Sequence, residues 1–526
     1  MNSEPSDRHK PYRSVLKRAK FIWPFFIGVA PWILGGVLLG VSFLCPSTVY
    51  SAFLGWSFSL FFATLYLIDE RPAYCKLFSF GLAAHITTFH WLAKVISVFG
   101  EFSGFSSAIL LILFSAVSSF QFVAMNAVYR GLRRNAFLLR YQLCLPCAWL
   151  LAEITVPKLV PWMLGHTQIR FSLLAQFADV AGVSLISWVM LWCSSCLVFF
   201  IRSLLLHQRQ AINIGSTLAA AISFSLILVY GYIRIQQVNA AVNASPSISL
   251  LVIQGNLDPL RDFHANKKDI NIEKYRQLSI SYMRDKDVDL LIWPESSVGH
   301  DYFGSDEIIN KGSSRDPFPE RTMPIIFGGQ TRVLKYRDGK DAYYNSAYLL
   351  GTNGAIKGVY HKNILFPFSE RMPLSDLFPV LENLHQKKFI MLSGGESKPL
   401  EIRLTASSGE LVDLKIATII CYEDMWTKPF RDMVSKEGAN LLLVLSNDNW
   451  FLQSVASQQH HLVASWRAIE NRRYLVRATN NGITAVINPL GETIHSLPPF
   501  LHSGLYESNI HVVDIKSPFH FISLLF

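Results

Sequence analysis

Up to about residue 235 the chain is a succession of apolar runs, each near the ~20 residues that carry a helix across a hydrocarbon core. The runs 24–45, 49–68, 77–98, 106–129, 137–154, 180–201 and 214–233 predict seven spans. The uncharged turn Pro46-Ser47-Thr48 alone separates the first two, and the fifth run is short, so a count of six stays open. Near residue 240 the pattern changes to short apolar runs alternating with charged residues and turn signals. Runs at 248–254, 289–294, 323–328, 347–350, 414–421, 439–446, 475–479 and 483–488 are rich in Val, Ile and Leu and have the length of strands. Residues 272–286 and 457–473 are helical candidates, the latter with apolar residues at helical spacing. Strands interleaved with helices predict an α/β domain. The chain is thus read as a basic tail (1–20), a helical membrane domain (21–235), a linker (236–247), an α/β domain (248–515) and an apolar tail (516–526).

Composition supports this division. Of 526 residues, 51% are hydrophobic and 16% charged, against about 25% charged in an ordinary soluble domain, which excludes intrinsic disorder. The net charge of +10 is ambiguous until the positive residues are placed. Arg8, Lys10, Arg13, Lys17, Arg18 and Lys20 precede the first run; Arg71 and Lys76 follow the second; Arg130, Arg133, Arg134 and Arg140 follow the fourth; Arg202 and Arg209 follow the sixth. Charge on alternate short loops argues against a nucleic-acid surface. It predicts a cytoplasmic N-terminus, and an odd number of spans then puts the α/β domain on the outer face. The first run is too long for a secretory signal, and no small-residue cleavage site follows it.

In open α/β sheets, working residues sit beyond the carboxyl ends of strands. Leu290-Leu291-Ile292-Trp293-Pro294-Glu295 sets a carboxylate there, Tyr360-His361-Lys362-Asn363 a lysine, and the run ending Ile419-Ile420-Cys421 a thiol followed by Tyr422-Glu423-Asp424. Cys421 is the one cysteine beyond residue 196; the other six of seven lie in or beside the membrane part. A buried small hydrophobe is the plain alternative for Cys421, but an unpaired thiol beside carboxylates outside the cytoplasm points to a nucleophile. A glutamate can take the thiol proton, and a lysine can favour the thiolate and an oxyanion.

Other signals read as structural. Cys144-Leu145-Pro146-Cys147 and Cys193-Ser194-Ser195-Cys196 fall in membrane-length segments without partnering ligands, so packing outweighs zinc or redox chemistry. The adjacent pair His460-His461 points to different faces of a helix and is a poor metal site. Gly394-Gly395 and Asn353-Gly354 are turns. Glu153 and Pro161-Trp162 read as interfacial anchors, with lipid contact as the alternative. Arg467, Arg472, Arg473 and Arg477 read as a solvated or salt-bridged face, with phospholipid headgroup contact as the minority reading.

The strings Trp293-Pro294-Glu295, Lys362 followed by Pro367-Phe368 and Glu370, and Cys421-Tyr422-Glu423 resemble the Glu-Lys-Cys triad of the nitrilase (carbon-nitrogen hydrolase) superfamily. With Val252-Ile253-Gln254-Gly255-Asn256, Ser446-Asn447-Asp448-Asn449-Trp450-Phe451 and Thr479-Asn480-Asn481-Gly482-Ile483-Thr484, the order is that of its membrane-bound branch, the apolipoprotein N-acyltransferases, over nearly the whole chain. The resemblance implies a polytopic helical membrane domain followed by an αββα sandwich. It also implies transfer of an acyl chain from a phospholipid, through a cysteine thioester, to the α-amino group of the S-diacylglyceryl cysteine of apolipoproteins. Glu295 is then the general base, Lys362 the oxyanion stabiliser and Cys421 the nucleophile. Glu370, Tyr422 and Glu423 match supporting positions, and Phe263 falls where the family often has tryptophan. Trp450, Phe451, Phe366 and Phe368 are candidates for an apolar barrier that keeps water from the thioester.

No metal or cofactor is implied. The expected setting is a monomer in a bacterial inner membrane, multi-pass, with the catalytic domain on the periplasmic side. Two departures stand out: Ser369 replaces the glycine of Pro-Phe-Gly-Glu, and the apolar tail 516–526, where the family has a further membrane helix, is too short to span. The rival readings are a membrane-tethered amidase or nitrilase acting on a small C–N substrate, and a non-catalytic lipid-binding membrane protein.

Overall fold

The fold was taken from a computed structural model that describes residues 28–522 apart from 47, 135–140, 206–210, 258–267, 300, 303–308, 310–315, 338–339, 373–374, 376 and 379–389. The basic N-terminal tail and the last four residues therefore lie outside the described residues. The chain forms two compact units, Met1–Pro157 with Ser187–Phe224, and Lys158–Ile186 with Ser225–Phe526.

Every predicted apolar run contains a helix. These are α1 (Gly28–Val41), α2 (Val49–Ile68), α3 (Tyr74–Thr88), α4 (Leu92–Phe99), α5 (Gly104–Arg134) and α6 (Tyr141–Thr155). After the short turns α7 (Ser172–Ala175) and α8 (Ala178–Ala181) come α9 (Val183–Leu205) and α10 (Ala211–Asn243). Among the described residues α2, α5, α9 and the Ile214–Asn243 part of α10 are long and apolar enough to cross a membrane. The pair α3 and α4, bent by 63°, makes a fifth if taken as one span. In α5 the buried positions Leu111, Ser115, Ser119, Phe122, Asn126 and Tyr129 recur every three or four residues and form one stripe. The Phe122 ring meets Phe80 of α3 edge-on with 4.7 Å between centroids. Where side chains face lipid no hydrophobic drive pulls helices together, so small serines and interlocked rings at the contact do the packing. Helix α10 continues to Asn243, through most of the stretch read from sequence as a linker.

The α/β domain is a sandwich of two mixed sheets. The first holds β1 (Ser247–Gln254), β2 (Leu290–Ile292), β3 (Asp301–Tyr302), β4 (Ile325–Arg337), β5 (Lys340–Leu350), β6 (Ile356–His361) and β7 (Ile390–Met391). The second holds β8 (Leu400–Thr405), β9 (Leu411–Ile420), β10 (Leu441–Ser446), β11 (Leu475–Thr479), β12 (Ala485–Ile487) and β13 (Thr493–Ser496). The last strand, β14 (Ser503–His511), returns antiparallel to β1 and closes the order β14-β1-β2-β4-β5-β6. Parallel pairing of β9, β10 and β11 buries β10 along its whole length, which is why it reads as the unbroken apolar run Leu-Leu-Leu-Val-Leu.

Strand β1 shows how the layers stack. Ile248, Leu250 and Val252 share one core with Leu414, Ile416, Leu442 and Val444 of the other sheet, whereas Leu251 and Ile253 pack with Ile272 and Tyr275 of α11 (Lys268–Met283). On the second sheet, α12 (Lys428–Glu437) lies against β9 and α13 (Ala456–Asn471) against β11.

The four arginines read as a solvated or salt-bridged face are buried. Arg467 pairs with Glu470, Arg472 with Asp179, Arg473 with Asp514 and Arg477 with Asp448. They are thus removed from solvent and from any headgroup, and each is held by a carboxylate, because a buried guanidinium without one is prohibitively costly. Trp162 and Glu153 are buried as well, not interfacial; Glu153 accepts the Trp149 indole N–H at 2.7 Å.

Asp179 joins several segments of its unit. It accepts Arg234 Nε at 2.7 Å, Arg472 Nε at 2.8 Å and the Tyr230 hydroxyl at 2.6 Å, and its main-chain carbonyl accepts Ser517 Oγ at 2.9 Å. It thereby ties the end of α10, the C-cap of α13 and the segment leading into α14 (Phe519–Ile522) to one point. Asp179→Ala leaves buried Arg472 unpaired and is expected to destabilise the detergent-solubilised protein by roughly 3–5 kcal/mol, read as a lowered thermal midpoint. Asp179→Asn, which keeps an acceptor oxygen, is expected to lose less.

Candidate active site

Three strand ends carry the candidate residues. Trp293, fully buried with its indole N–H on Ser279 Oγ at 2.9 Å, anchors the end of β2. Pro294 then stops the ladder and Glu295 turns inward. The turn passes so close to β4 that a Cβ on Gly328 would meet Glu295 Cα at 2.6 Å; only glycine leaves room there. Ser296 takes a left-handed φ of 57°. Glu295 Oε1 accepts Asn345 Nδ2 at 2.7 Å, and this amide and the Asn447 backbone N–H both favour the charged carboxylate.

Lys362 follows β6. Its backbone N–H donates to Asn345 O at 2.8 Å, so Asn345 of β5 holds both the lysine main chain and the Glu295 carboxylate. Lys362 is 1% exposed and its Nζ lies 2.8 Å from Glu370 Oε2. Glu370 is steadied in turn by the Phe366 N–H at 2.7 Å. The departure at Ser369 has a simple resolution. Phe368, with φ 65°, carries the left-handed residue of this turn, and Ser369 lies outside that region, so a side chain there is unstrained.

The sequence pattern extends the third strand to Cys421, but β9 ends at Ile420 and Cys421 opens the 3₁₀ turn Cys421–Met425 with φ 52°. A non-glycine residue held there stores about 1–3 kcal/mol and persists because its surroundings over-determine it. The structure brings Cys421, Glu295, Lys362 and Glu370 close enough to act on one another's charge. Burial pushes the Cys421 thiol well above its usual range and the Glu295 charge adds to this, while Lys362 opposes it. Burial likewise raises the Glu295 carboxyl, against the pull of Lys362. Burial alone would lower the Lys362 ammonium, but the negative charges of Glu370, ionised Cys421 and Glu295 prevail and raise it. At neutral pH this is a cation beside a protonated thiol and a carboxylate of raised basicity, a set able to move one proton and to steady one oxyanion.

Glu423 joins the pieces. Its Oε2 accepts the Ile420 N–H at 2.8 Å and its Oε1 accepts the N–H groups of Asn363 at 2.7 Å and Ile364 at 3.0 Å, while the Tyr360 hydroxyl donates at 3.0 Å. Burial pushes its carboxyl up to about 7, opposed by the Ile420 and Ile364 N–H groups. One buried side chain therefore clamps the residue before Cys421 to the residues after Lys362. Tyr422 points the other way: its hydroxyl donates to Leu159 O, and its ring packs between Phe366 and Trp426 at 5.0 and 6.3 Å.

The proposed apolar barrier divides. Phe366 and Phe451 are half-buried, against Tyr422 and His460, whereas Phe368 and Trp450 are 62% and 45% exposed. Phe263 lies outside the described residues. Sequence reasoning missed Asn345; the one signal was a polar amide in the middle of a strand run, where asparagine is disfavoured. No cluster of three or more His, Cys, Asp or Glu side chains suited to a metal occurs among the described residues.

Comparison with known proteins adds two family matches: the apolipoprotein N-acyltransferase N-terminal domain over residues 19–196 and carbon-nitrogen hydrolase over residues 252–516. The apolipoprotein N-acyltransferase of Geobacter metallireducens is 28% identical over 497 residues, 92% of this chain and 89% of its own. That of Pseudomonas putida is 28% identical over 458 residues, 84% of either chain. Among solved structures, a carbon-nitrogen hydrolase from Helicobacter pylori G27 is 17% identical over 50% of this chain and 88% of its own, with a TM-score of 0.34.

The clamp is testable by itself. Glu423→Ala strands buried donors at about 1–3 kcal/mol each and is expected to lower the thermal midpoint and slow alkylation of Cys421 by iodoacetamide. Glu423→Gln keeps an acceptor oxygen and is expected to recover part of both.

Proposed function

Because the chain belongs to the carbon-nitrogen hydrolase family, in its membrane-bound apolipoprotein N-acyltransferase branch, we propose that it N-acylates apolipoproteins with a fatty acyl chain taken from a phospholipid. Glu295, Lys362 and Cys421 are the catalytic residues in this reading. The observation that carries it is the convergence of these three side chains, with Glu370 on the lysine and Cys421 held in a left-handed turn.

In the first half-reaction the Cys421 sulfur attacks the ester carbonyl of the phospholipid as Glu295 takes the thiol proton. The Lys362 ammonium faces the oxyanion. Collapse breaks the C–O bond to the glycerol oxygen, Glu295 returns the proton to that oxygen, and a lysophospholipid leaves the acyl thioester behind. In the second, the neutral α-amine of the diacylglyceryl cysteine attacks the thioester carbonyl, Glu295 takes the amine proton, and the C–S bond breaks to give the amide and, with that proton, the free thiol. One nucleophile serves both substrates in turn, so the kinetics are ping-pong. Glu370 keeps Lys362 charged and aimed, and Glu423 is a positioning residue.

Donor and acceptor are both lipid-anchored, and drawing an acyl chain through water costs about 0.8 kcal/mol per CH₂. An enzyme borne on membrane helices avoids that cost. The exposed rings of Phe368 and Trp450 suit contact with acyl chains, and the half-buried Phe366 and Phe451 suit exclusion of water from the thioester. The alternation of basic loops supports an inner-membrane setting with the N-terminus in the cytoplasm and the catalytic domain in the periplasm, the enzyme working as a monomer. The match to the N-terminal acyltransferase domain over residues 19–196 favours this reading over an amidase acting on a small soluble substrate and over a non-catalytic lipid binder.

Intact mass spectrometry of the protein incubated with phospholipid is expected to show an acyl-sized adduct mapping to Cys421 that disappears when a diacylated lipopeptide is added. Cys421→Ala abolishes both adduct and transfer; if that variant still N-acylated the lipopeptide, the mechanism would be wrong. The rate of adduct formation is expected to rise with pH as Glu295 ionises, at a pH above the ordinary carboxylate range because burial raises that carboxyl. Glu295→Gln is expected to lose this limb in single-turnover measurements between about pH 4 and about pH 9.

A further inference from the structure

The strings 252–256, 446–451 and 479–484 carry part of the family resemblance but take no part in the chemical steps. In the structure they are bonded to one another. Strands β9, β10 and β11 run parallel, with Leu445 opposite Ile420 and Ser446 opposite Thr479. The turn bearing Cys421 and the turn Asp448–Phe451 bearing Trp450 therefore leave the same end of neighbouring strands, and Asn480 follows the third. Past these ends no ladder holds the chain, and the buried Asn480 side chain takes over. Its Oδ1 accepts the Leu257 N–H at 2.9 Å and the Tyr275 hydroxyl at 3.0 Å. Its Nδ2 donates to Leu257 O at 2.9 Å and to Asn447 Oδ1 at 3.3 Å. The Asn480 main-chain carbonyl accepts the Asn256 N–H at 2.7 Å.

One side-chain amide thus meets both the N–H and the C=O of Leu257, the exchange that two paired strand residues make. Leu257 follows β1 of the first sheet and Asn480 follows β11 of the second, so the pair bridges the sheets where no ladder reaches. Both donor hydrogens of the amide and both lone pairs of its oxygen are engaged; a carboxylate has no hydrogens to give. The turn bearing Trp450 is held to the same point. Asn447 caps it by accepting the Asn449 N–H at 3.4 Å, and Asn449 Nδ2 donates to Leu257 O. Leu257, Asn447 and Asn449 are all buried, so these bonds are not exchanged for water without loss. We propose that Asn480 is a positioning residue for the acyl donor: through Leu257 and Asn447 it fixes the turn bearing Trp450 beside the Cys421 turn, so that the indole meets the acyl chain whose carbonyl the thiol attacks. This rests on the reading of the chain as a phospholipid-dependent acyltransferase.

Trp450 is 45% exposed, and an exposed ring gives its full contact to a chain only when the backbone beneath it is already ordered; otherwise binding must order it. The contact acts on the donor's apolar chain and not on the thiol, so losing the tether weakens binding of donors whose chains reach the indole and leaves the thiol's chemistry intact. Gln254 secures the same junction by separate bonds. Its Oε1 accepts Thr484 Oγ1 at 2.7 Å, and its Nε2 donates to Pro498 O at 2.9 Å and Leu501 O at 2.8 Å. A change at Asn480 therefore loosens the turn without parting the two sheets.

The experiment follows acyl adduct formation on Cys421 in the full-length, detergent-solubilised protein by intact mass spectrometry, against the mole fraction of dipalmitoyl or dihexanoyl phosphatidylethanolamine. Asn480→Ala is expected to raise the half-saturating fraction of the dipalmitoyl donor about tenfold and that of the dihexanoyl donor less than about threefold, with the maximal rates within about threefold of the parent. Trp450→Ala is expected to do the same. The double variant Asn480→Ala, Trp450→Ala is expected to lie within about threefold of Trp450→Ala alone, because the tether acts through the ring. Alkylation of Cys421 by iodoacetamide stays at the parental rate in Asn480→Ala. Parental binding of the dipalmitoyl donor would overturn the proposal. Equal losses with the two donors, slowed alkylation or additive losses in the double variant mark a general loosening of the fold and would overturn it too. If Asn480→Ala fails to fold, Asn449→Ala, which removes the other amide from Leu257 O, is expected to show the same dependence on chain length, and its absence there overturns the proposal. A parent protein that forms no adduct with either donor refutes the acyltransferase reading instead.

Discussion

A carboxylate with no access to water holds the candidate site together. Glu423 accepts main-chain N–H groups from both sides of the sandwich, from Ile420 at the end of one sheet and from Asn363 and Ile364 just past the end of the other. Cys421 and Lys362 lie on segments about sixty residues apart, and each follows a strand whose ladder stops short of it. Main-chain pairing therefore cannot set the distance between them. A side chain rigidly bonded to both can. A buried hydrogen-bonded acceptor is expensive to displace, so the clamp fixes the site geometry more firmly than apolar packing of equal area would.

The same logic of compensated charge runs through the rest of the domain. Lys362 is buried against Glu370, Arg472 against Asp179, Arg467 against Glu470, and Arg477 against Asp448. Such pairs contribute little net stability compared with apolar replacements, but breaking one leaves a bare charge in a low-dielectric interior. Their effect is specificity. In the site that has a chemical use, because a lysine that keeps its proton and a glutamate of raised basicity coexist with a thiol only where water does not level them. Transfer of an acyl chain to an amine in preference to water has the same requirement.

The apolar elements were legible because their signals are local. The fully buried strand β10 and the helix α13 come within a residue or two of their sequence boundaries. Besides β6 and the two-residue β3 and β7, the strands β8, β13 and β14 have no counterpart among the predicted runs. β8 alternates buried with exposed or half-buried residues, β14 mixes buried, half-buried and exposed ones, β13 is almost wholly exposed, and all three lie at sheet edges without an apolar run to announce them. Of the two readings open for the arginines on and after α13, the salt-bridged one holds and the solvated one does not. Charge at helical spacing normally marks a wet face, and nothing local reveals that Asp179, nearly three hundred residues away, and Asp514 supply the counter-charges.

The sequence by itself determined that the chain is part membrane helix and part α/β domain, and it singled out Glu295, Lys362 and Cys421. Apolar run length, strand and helix periodicity and the residue types that chemistry requires are all written along the chain. Tertiary structure alone decided what surrounds those three: Asn345 on Glu295, Glu370 on Lys362, the left-handed turn at Cys421 and the Glu423 clamp. These are contacts between residues far apart in the chain, and their energies come from burial and charge pairing. Such terms exist only once the chain has closed on itself and excluded water.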